Sequence, residues 1–339
     1  MLKSSISTVF YFTLTSGIII TISSNSWMSA WMGLEINLLS FIPILMNNNN
    51  IFTTEAALKY FLIQTLASSS FLFFIISEIL LEMIIPNHET LLIMIIISSP
   101  LMLKSGVAPL HWWFPSIMEG LNWNNCLVMM TLQKIAPIIL LSLLLNNILM
   151  FSISLSSGII GSIGGMNQLS IRKLMAYSSI NHIGWMLSAL VISENMWSLY
   201  FLIYSTLMTT FILSIKTANI SFINQINLMN NNMWIPKFIL FSSLLSLGGL
   251  PPFLGFFPKW IIIQNLMVNN MILQTLMMTL FSLITLFYYM RMCYSSLMIL
   301  HSEQSWNMMM KIHMSSNYSF LLTITTIGLL ISPMLIVFL

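Results

Sequence analysis

The chain reads as long apolar stretches separated by short polar breaks. A helix crossing a bilayer needs about 20 mainly apolar residues. By that measure the pattern predicts about eleven crossings, near 5–22, 27–46, 57–80, 91–117, 123–144, 148–166, 174–193, 196–216, 238–257, 261–291 and 318–338. The fourth and tenth are long and irregular. The connection from Asn219 to Asn232 is polar but carries Ile220, Phe222, Ile223, Ile226 and Leu228, which fits an amphipathic segment lying in the membrane interface. The expectation is an all-α polytopic membrane protein with one transmembrane domain over residues 1–339.

Two apolar stretches are interrupted in the same way. Gly106-Val-Ala-Pro109-Leu-His-Trp-Trp-Phe114-Pro115 and Gly249-Leu-Pro-Pro252-Phe-Leu-Gly-Phe-Phe257-Pro258 share the pattern G-x-x-P-x-x-x-x-F-P, 143 residues apart. Proline removes a backbone donor and clashes with the carbonyl four residues back. Each break therefore frees carbonyls inside the membrane, where only protein or water can meet them. Paired interruptions of this kind in corresponding halves predict inverted structural repeats with two broken helices, and an ion path through them. The competing expectation is that Gly and Pro only shape helix packing.

Charge sharpens the picture. The chain is 58% hydrophobic and 6% charged, with no Asp, whereas a soluble domain is about one quarter charged. Against that background Lys104, Lys134, Lys216 and Lys259 fall in or beside apolar stretches, with Glu35 as their acidic counterpart. A charge at the bilayer centre costs roughly 3 kcal/mol on insertion scales, so such residues mark candidate functional sites. Lys104 precedes the first break, Lys259 follows the second, and Lys134 again has a proline nearby, Pro137. Lys216 lies at the predicted end of its span, where a long side chain reaches the interface. His111 lies in the first broken segment and His182 within a span. Both are candidate proton-relay groups because imidazole titrates near neutral pH; the alternative for each is a hydrogen-bonded helix contact. His88, His301 and His313 fall in predicted loops. Glu55 and Lys59 are spaced to pair on a helix, as an interfacial clamp or a proton entrance.

Other chemistries find no support. Cys126 and Cys293 are far apart and join no Cys/His cluster, so iron–sulfur and zinc ligand sets are lacking and both read as apolar fillers. No phosphate-binding loop or dinucleotide fingerprint occurs, and Gly161-Ser-Ile-Gly-Gly165 falls in a span, where it predicts close helix packing. The net charge of +3 is dispersed and does not point to nucleic acid. With eleven spans, Lys3, Lys59, Arg172, Lys173, Lys216, Lys237 and Lys311 fall on the N-terminal side, and Glu82, Glu89 and Glu194 on the other. The positive-inside rule then places the N-terminus on the side of synthesis. Thirty Met, two Arg and the run Asn47 to Asn50 suggest an AT-rich animal mitochondrial gene. The hydrophobic start without an Arg-rich presequence agrees. These expectations put a multi-pass chain in the inner mitochondrial membrane, N-terminus in the matrix and C-terminus on the intermembrane-space side.

Five segments taken together carry a resemblance: Ser26-Trp-Met-Ser-Ala-Trp-Met-Gly-Leu-Glu-Ile-Asn-Leu-Leu-Ser-Phe-Ile-Pro43, Glu55-Ala-Ala-Leu-Lys-Tyr-Phe61, Leu103-Lys-Ser-Gly-Val-Ala-Pro-Leu-His-Trp-Trp-Phe-Pro115, Leu132-Gln-Lys-Ile-Ala-Pro137 and Gly248-Gly-Leu-Pro-Pro-Phe-Leu-Gly-Phe-Phe-Pro-Lys-Trp260. They resemble the antiporter-like chain 2 family of mitochondrial NADH:ubiquinone oxidoreductase, respiratory complex I, in an insect form. The resemblance runs through most of the chain. It implies the short form of the fold, without the three N-terminal helices of bacterial relatives. It also implies that Glu35 pairs with Lys104, that Lys134 is a central-axis lysine and that Lys259 is the terminal one, together carrying protons for a translocase. His111 and His182 are possible bridges. On this reading the chain binds no cofactor, and NADH, FMN, iron–sulfur clusters and ubiquinone belong to the assembly. Its partners are other membrane-arm subunits, including neighbouring antiporter-like chains, and membrane lipids. A freestanding cation/proton antiporter and a non-pumping structural subunit are the alternatives.

Overall fold

The computed structural model describes residues 2–46, 50–84, 90–144, 147–218, 220–227 and 234–295. The predicted span at 318–338, Glu89, Lys311 and the loop histidines His88, His301 and His313 lie outside the described residues. Within them the regular structure is helical, apart from a bridge between Ser170 and Phe222. Contacts divide the chain into two compact units, Met1–Ile153 and Ser154–Leu339.

The first unit runs α1 (Leu2–Ile22), α2 (Trp27–Leu45), α3 (Ile51–Ile84), α4 (Thr90–Ser105), α5 (Trp113–Gly120), α6 (Trp123–Met130) and α7 (Leu132–Leu143), and ends within α8 (Asn147–Met166). α2 starts where Ser26 and Ser29 cap each other, which satisfies orphan donors of its first turn. It packs along α1 and also meets α3, while α4 lies against α3 and α7. The predicted span 91–117 is interrupted: α4 stops at Ser105 and α5 begins at Trp113. The predicted span 123–144 is also divided, because Thr131 leaves helical geometry at φ −116°, ψ −80°.

The second unit continues with α9 (Ile171–Ile192), α10 (Glu194–Ala218), α11 (Ile223–Asn227), α12 (Trp234–Gly248), α13 (Phe256–Val268) and α14 (Ile272–Tyr294). Here the sequence reading drew a wrong boundary. The apolar run 261–291 is not one span: Asn270, with φ 60°, turns the chain between α13 and α14. Asparagine is among the few non-glycine residues that adopt this left-handed region readily, and hydropathy alone does not register a change of direction. The connection at 220–227 is stitched to the start of α9, with Ile171 N donating to Ser221 O at 3.1 Å and Ile223 N to Leu169 O at 3.1 Å. Its Ile220 and Ile226 are buried.

Among the described residues, six helices are long and apolar enough to cross a membrane, including Trp27–Leu45, Glu194–Ala218 and Ile272–Tyr294, and four apolar stretches are shorter. Three of the shorter ones, Met94–Ser105, Lys237–Gly248 and Phe256–Val268, are parts of the two interrupted helices. α9 is absent from both sets. It carries Ser178, Ser179, Asn181 and His182, yet it is buried along most of its length against α10, α13 and α14. Its serines hide their hydroxyls in their own helix, Ser179 Oγ donating to Ala176 O at 2.7 Å.

The glycine run of α8 packs as expected. A Cβ on Gly161 would stand 2.5 Å from the backbone nitrogen of Asn181 on α9, which has nowhere to yield. Gly161→Ala is therefore expected to destabilise the fold by about 1–3 kcal/mol, the usual cost of overpacking. The check is the thermal unfolding midpoint of the purified protein, which should fall; an unchanged midpoint would contradict the close crossing.

Candidate functional site

Both breaks are built on a glycine. At the end of α4, Gly106 has φ 70°, its N–H bonds to Leu103 O at 3.3 Å, and Val107 N reaches Met102 O at 3.1 Å. At the end of α12, Gly249 has φ 86°, its N–H bonds to Ser246 O at 3.0 Å, and Leu250 N reaches Leu245 O at 3.3 Å. These are two Schellman caps, in which a left-handed residue just past the helix closes the last turn. The first glycine of the shared motif thus stops each helix. The prolines follow after the stop and prevent its resumption.

The caps leave further carbonyls to be met, and long side chains meet them. In the first unit, Gln64 Nε2 donates to Lys104 O at 3.3 Å, and Trp113 Nε1 adds a second donor to Leu103 O at 3.0 Å. In the second, Lys259 Nζ reaches back across the break to Leu247 O at 3.1 Å and Gly248 O at 2.9 Å. The ammonium thereby sits at the negative end of the α12 dipole. Its side chain is 5% exposed, and its Nζ lies 6.0 Å from the centre of the Trp185 ring.

Lys104 is placed differently. It is 6% exposed on the last turn of α4, and its Nζ has no hydrogen-bond partner. Half-buried Glu35 on α2 has an inward carboxylate oxygen, Oε2, likewise without one. The two attract each other through space rather than through a hydrogen bond. Lys134, 1% exposed on the first turn of α7, holds its Nζ 5.1 Å from the centre of the Phe114 ring, the aromatic of the shared motif in the first broken segment. A cation over a ring face is electrostatically favourable, and more so when desolvated. The first unit thus gathers Glu35, Lys104 and Lys134 around one break.

The histidines part company. His182, 6% exposed on α9, places Nδ1 2.8 Å from the Tyr200 hydroxyl and its ring 5.0 Å from that of Tyr204, both on α10. It also lines a cavity with room for about one water, together with Tyr200, Tyr204, Ser246, Gly255 and Pro258. The second break therefore has His182 on one side and Lys259 within it. His111 stays half-buried in the first break, with Nδ1 3.1 Å from Pro109 O. Lys216 is exposed at the end of α10, and Glu55 and Lys59 form an exposed ion pair at 2.6 Å. Cys126 and Cys293 are buried and not disulfide-bonded.

Sequence reasoning missed the neutral polar residues of both sites. Tyr200, Tyr204, Tyr288 and Tyr289 are fully buried in the second unit. The rings of Tyr288 and Tyr289 meet edge to face at 4.6 Å. In the first unit, Asn37, Tyr60 and Gln133 are hydrogen-bonded to one another. The signal was faint: Tyr200 and Tyr204 share a helix face by their spacing of four, but a tyrosine at a membrane interface gives the same signal.

Comparison with known proteins identifies the family and the fold. The family described as NADH:quinone oxidoreductase/Mrp antiporter, transmembrane, matches residues 24–285. NADH-ubiquinone oxidoreductase chain 2 of Aedes aegypti is 52% identical over 95% of this chain and 96% of its own length. That of Mus musculus is 37% identical over 97% and 98% respectively. Among solved structures, a chain of respiratory complex I from Thermus thermophilus superposes with a TM-score of 0.80 at 20% identity, over 97% of this chain and 79% of its own. A chain of the Mrp complex from Dietzia sp. gives 0.73 at 15% identity, over 85% of this chain and 59% of its own. The fold is that of an antiporter-like subunit, and the chain belongs to the NADH:quinone oxidoreductase/Mrp antiporter family and, within it, to NADH-ubiquinone oxidoreductase chain 2.

Proposed function

We propose that the chain acts as a membrane-arm subunit of respiratory complex I and takes part in moving protons across the inner mitochondrial membrane, coupled to electron transfer from NADH to ubiquinone. The observation that carries this reading is the buried lysine at each break, Lys104 and Lys259, in a chain whose relatives bear that oxidoreductase's name. Glu35, Lys104, Lys134 and Lys259 are the proton carriers, with His182 and His111 as bridging groups. The working principle is electrostatic. A charge brought toward a buried ammonium or taken from it changes the hold on its proton, and about 1.4 kcal/mol of interaction alters that affinity tenfold. The Glu35 carboxylate is the partner whose pull on Lys104 can be varied; the carbonyls of Leu247 and Gly248 play that part for Lys259.

The reading carries a division of labour. NADH, FMN, iron–sulfur clusters and ubiquinone are held by other subunits, and this chain meets neighbouring antiporter-like subunits and lipid. Its N-terminus lies in the matrix and its C-terminus on the intermembrane-space side, as the cation distribution favours.

Native electrophoresis of gently solubilised mitochondrial membranes, with an in-gel NADH-oxidation stain and mass spectrometry, tests membership of the assembly. The chain is expected in the NADH-oxidising band at very large mass. A small NADH-inactive particle carrying it, in preparations whose large complex is intact, would replace this reading with a freestanding antiporter.

A further inference from the structure

Three neutral side chains of the first unit, with half-buried Gln133 at the centre, form a hydrogen-bonded chain. Tyr60 on α3 donates its hydroxyl to Gln133 Oε1 at 3.3 Å, and Gln133 Nε2 on α7 donates to Asn37 Oδ1 on α2 at 3.0 Å. Tyr60 and Asn37 are 2% and 3% exposed. The Tyr60 ring packs against Phe41 at 5.3 Å and against Trp113 at 6.2 Å, and Trp113 donates to Leu103 O. The network shares its helices with the charges: Asn37 is two residues from Glu35 on α2, Gln133 adjoins Lys134 on α7, and Leu103, reached through Trp113, adjoins Lys104 on α4.

An amide carries no proton that titrates in water, and a phenol titrates at about pH 10, so the network is not itself a link in a relay. The first turn of α7 follows the interruption at Thr131 and is not held by a continuous helix. Gln133 supplies the missing tether by using both ends of its amide, on α3 and α2 at once. Attraction between buried charges varies inversely with their separation and is weakly screened, so the placement of these helices sets the coupling among the three carriers. We infer that Asn37, Gln133 and Tyr60 are a neutral frame that fixes the spacing of Glu35, Lys104 and Lys134, with Gln133 as its central positioning residue. This rests on the proton-path reading above. Among the described residues, the groups that carry or change charge on the elements packed here are Glu35 on α2, Lys104 on α4, Lys134 on α7 and His111 in the break. Glu55 and Lys59 on α3, Glu119 on α5 and Tyr11 on α1 are exposed, Cys126 on α6 is a buried thiol, and half-buried Glu78 and, beyond it, Glu82 lie 18 and 22 residues along α3 from Tyr60.

The test uses membrane vesicles containing the whole complex and measures proton uptake per NADH oxidised as a function of pH. Gln133→Met keeps side-chain length and removes both hydrogen bonds. It is expected to assemble, to lower proton uptake per NADH about threefold at neutral pH, and to displace the pH optimum. Adding Asn37→Leu to it should cause little further loss, because the shared interaction is already gone. Should Gln133→Met fail to assemble, Tyr60→Phe decides, since it keeps the ring contacts and removes one hydroxyl; it should act in the same direction to a smaller extent. A native ratio and a native pH profile in the assembled variant overturn the frame. Lys134→Met is the reference. If it too pumps normally, the proton-path reading falls and the frame with it; if it abolishes pumping while Gln133→Met does not, the frame alone falls.

Discussion

Complex I carrying Lys104→Met is expected to assemble, to keep oxidising NADH and to lose proton translocation. The two halves of that result have separate causes. Lys104 is buried, and its Nζ has no hydrogen-bond partner to be orphaned. Removing one partner of a buried ion pair is costly when it strands the other charge, but Glu35 is half-buried rather than buried, so assembly is expected to survive. The Glu35 carboxylate loses the charge that faces it, and the proposed path would lose a proton carrier; proton-transfer groups contribute on the order of 10²-fold or more. Proton uptake per NADH, measured in sealed vesicles, should fall to the leak level. Retained stoichiometry would sink the role given to Lys104. Lys216→Met, at an exposed helix end, should pump as the native chain does. Lys259→Met differs from both, since it also strips the Leu247 and Gly248 carbonyls of their donor, and should lower the amount of assembled complex as well as its pumping.

Gly255→Ala is expected to deplete the assembled complex several-fold. A Cβ at this position would overlap the carbonyl oxygen of Ser246, on the last turn of α12. Both sides of the clash are backbone, so no rotamer relieves it. Overpacking costs about 1–3 kcal/mol where neighbours yield, and a loss of about 1–2 kcal/mol already changes abundance several-fold. Gly248→Ala is the internal control, because a Cβ there would come no closer than 3.5 Å, to Tyr289. Quantitative native gels compare the two. Equal amounts of complex in both would show that Gly255 and the end of α12 have room to separate at the break.

Gly255 also illustrates how unevenly the site was legible. The repeated G-x-x-P-x-x-x-x-F-P pattern located both breaks, because only Gly and Pro interrupt a helix so compactly. It misplaced the cause, crediting proline with a stop made by Gly106 and Gly249. Lys104, Lys134 and Lys259 stood out because charge in an apolar run is rare, whereas Tyr60, Asn37 and Gln133 are ordinary residues at a membrane edge. Their burial follows from how α2, α3 and α7 are packed, and no period in the sequence records that.

The sequence by itself determined that the chain is helical and membrane-embedded, that two of its helices are broken, and which charges stand beside the breaks. Those properties follow from local chemistry: a bilayer demands internally bonded backbone, and each Gly, Pro or Lys declares its conflict with that demand where it stands. Only the tertiary structure decided what answers each conflict. Lys259 caps the helix across its own break, while Lys104 faces Glu35 without touching it. The difference lies in ångström-scale distances between helices far apart in the chain, and hydrogen bonds and Coulomb forces depend on those distances rather than on order along the sequence.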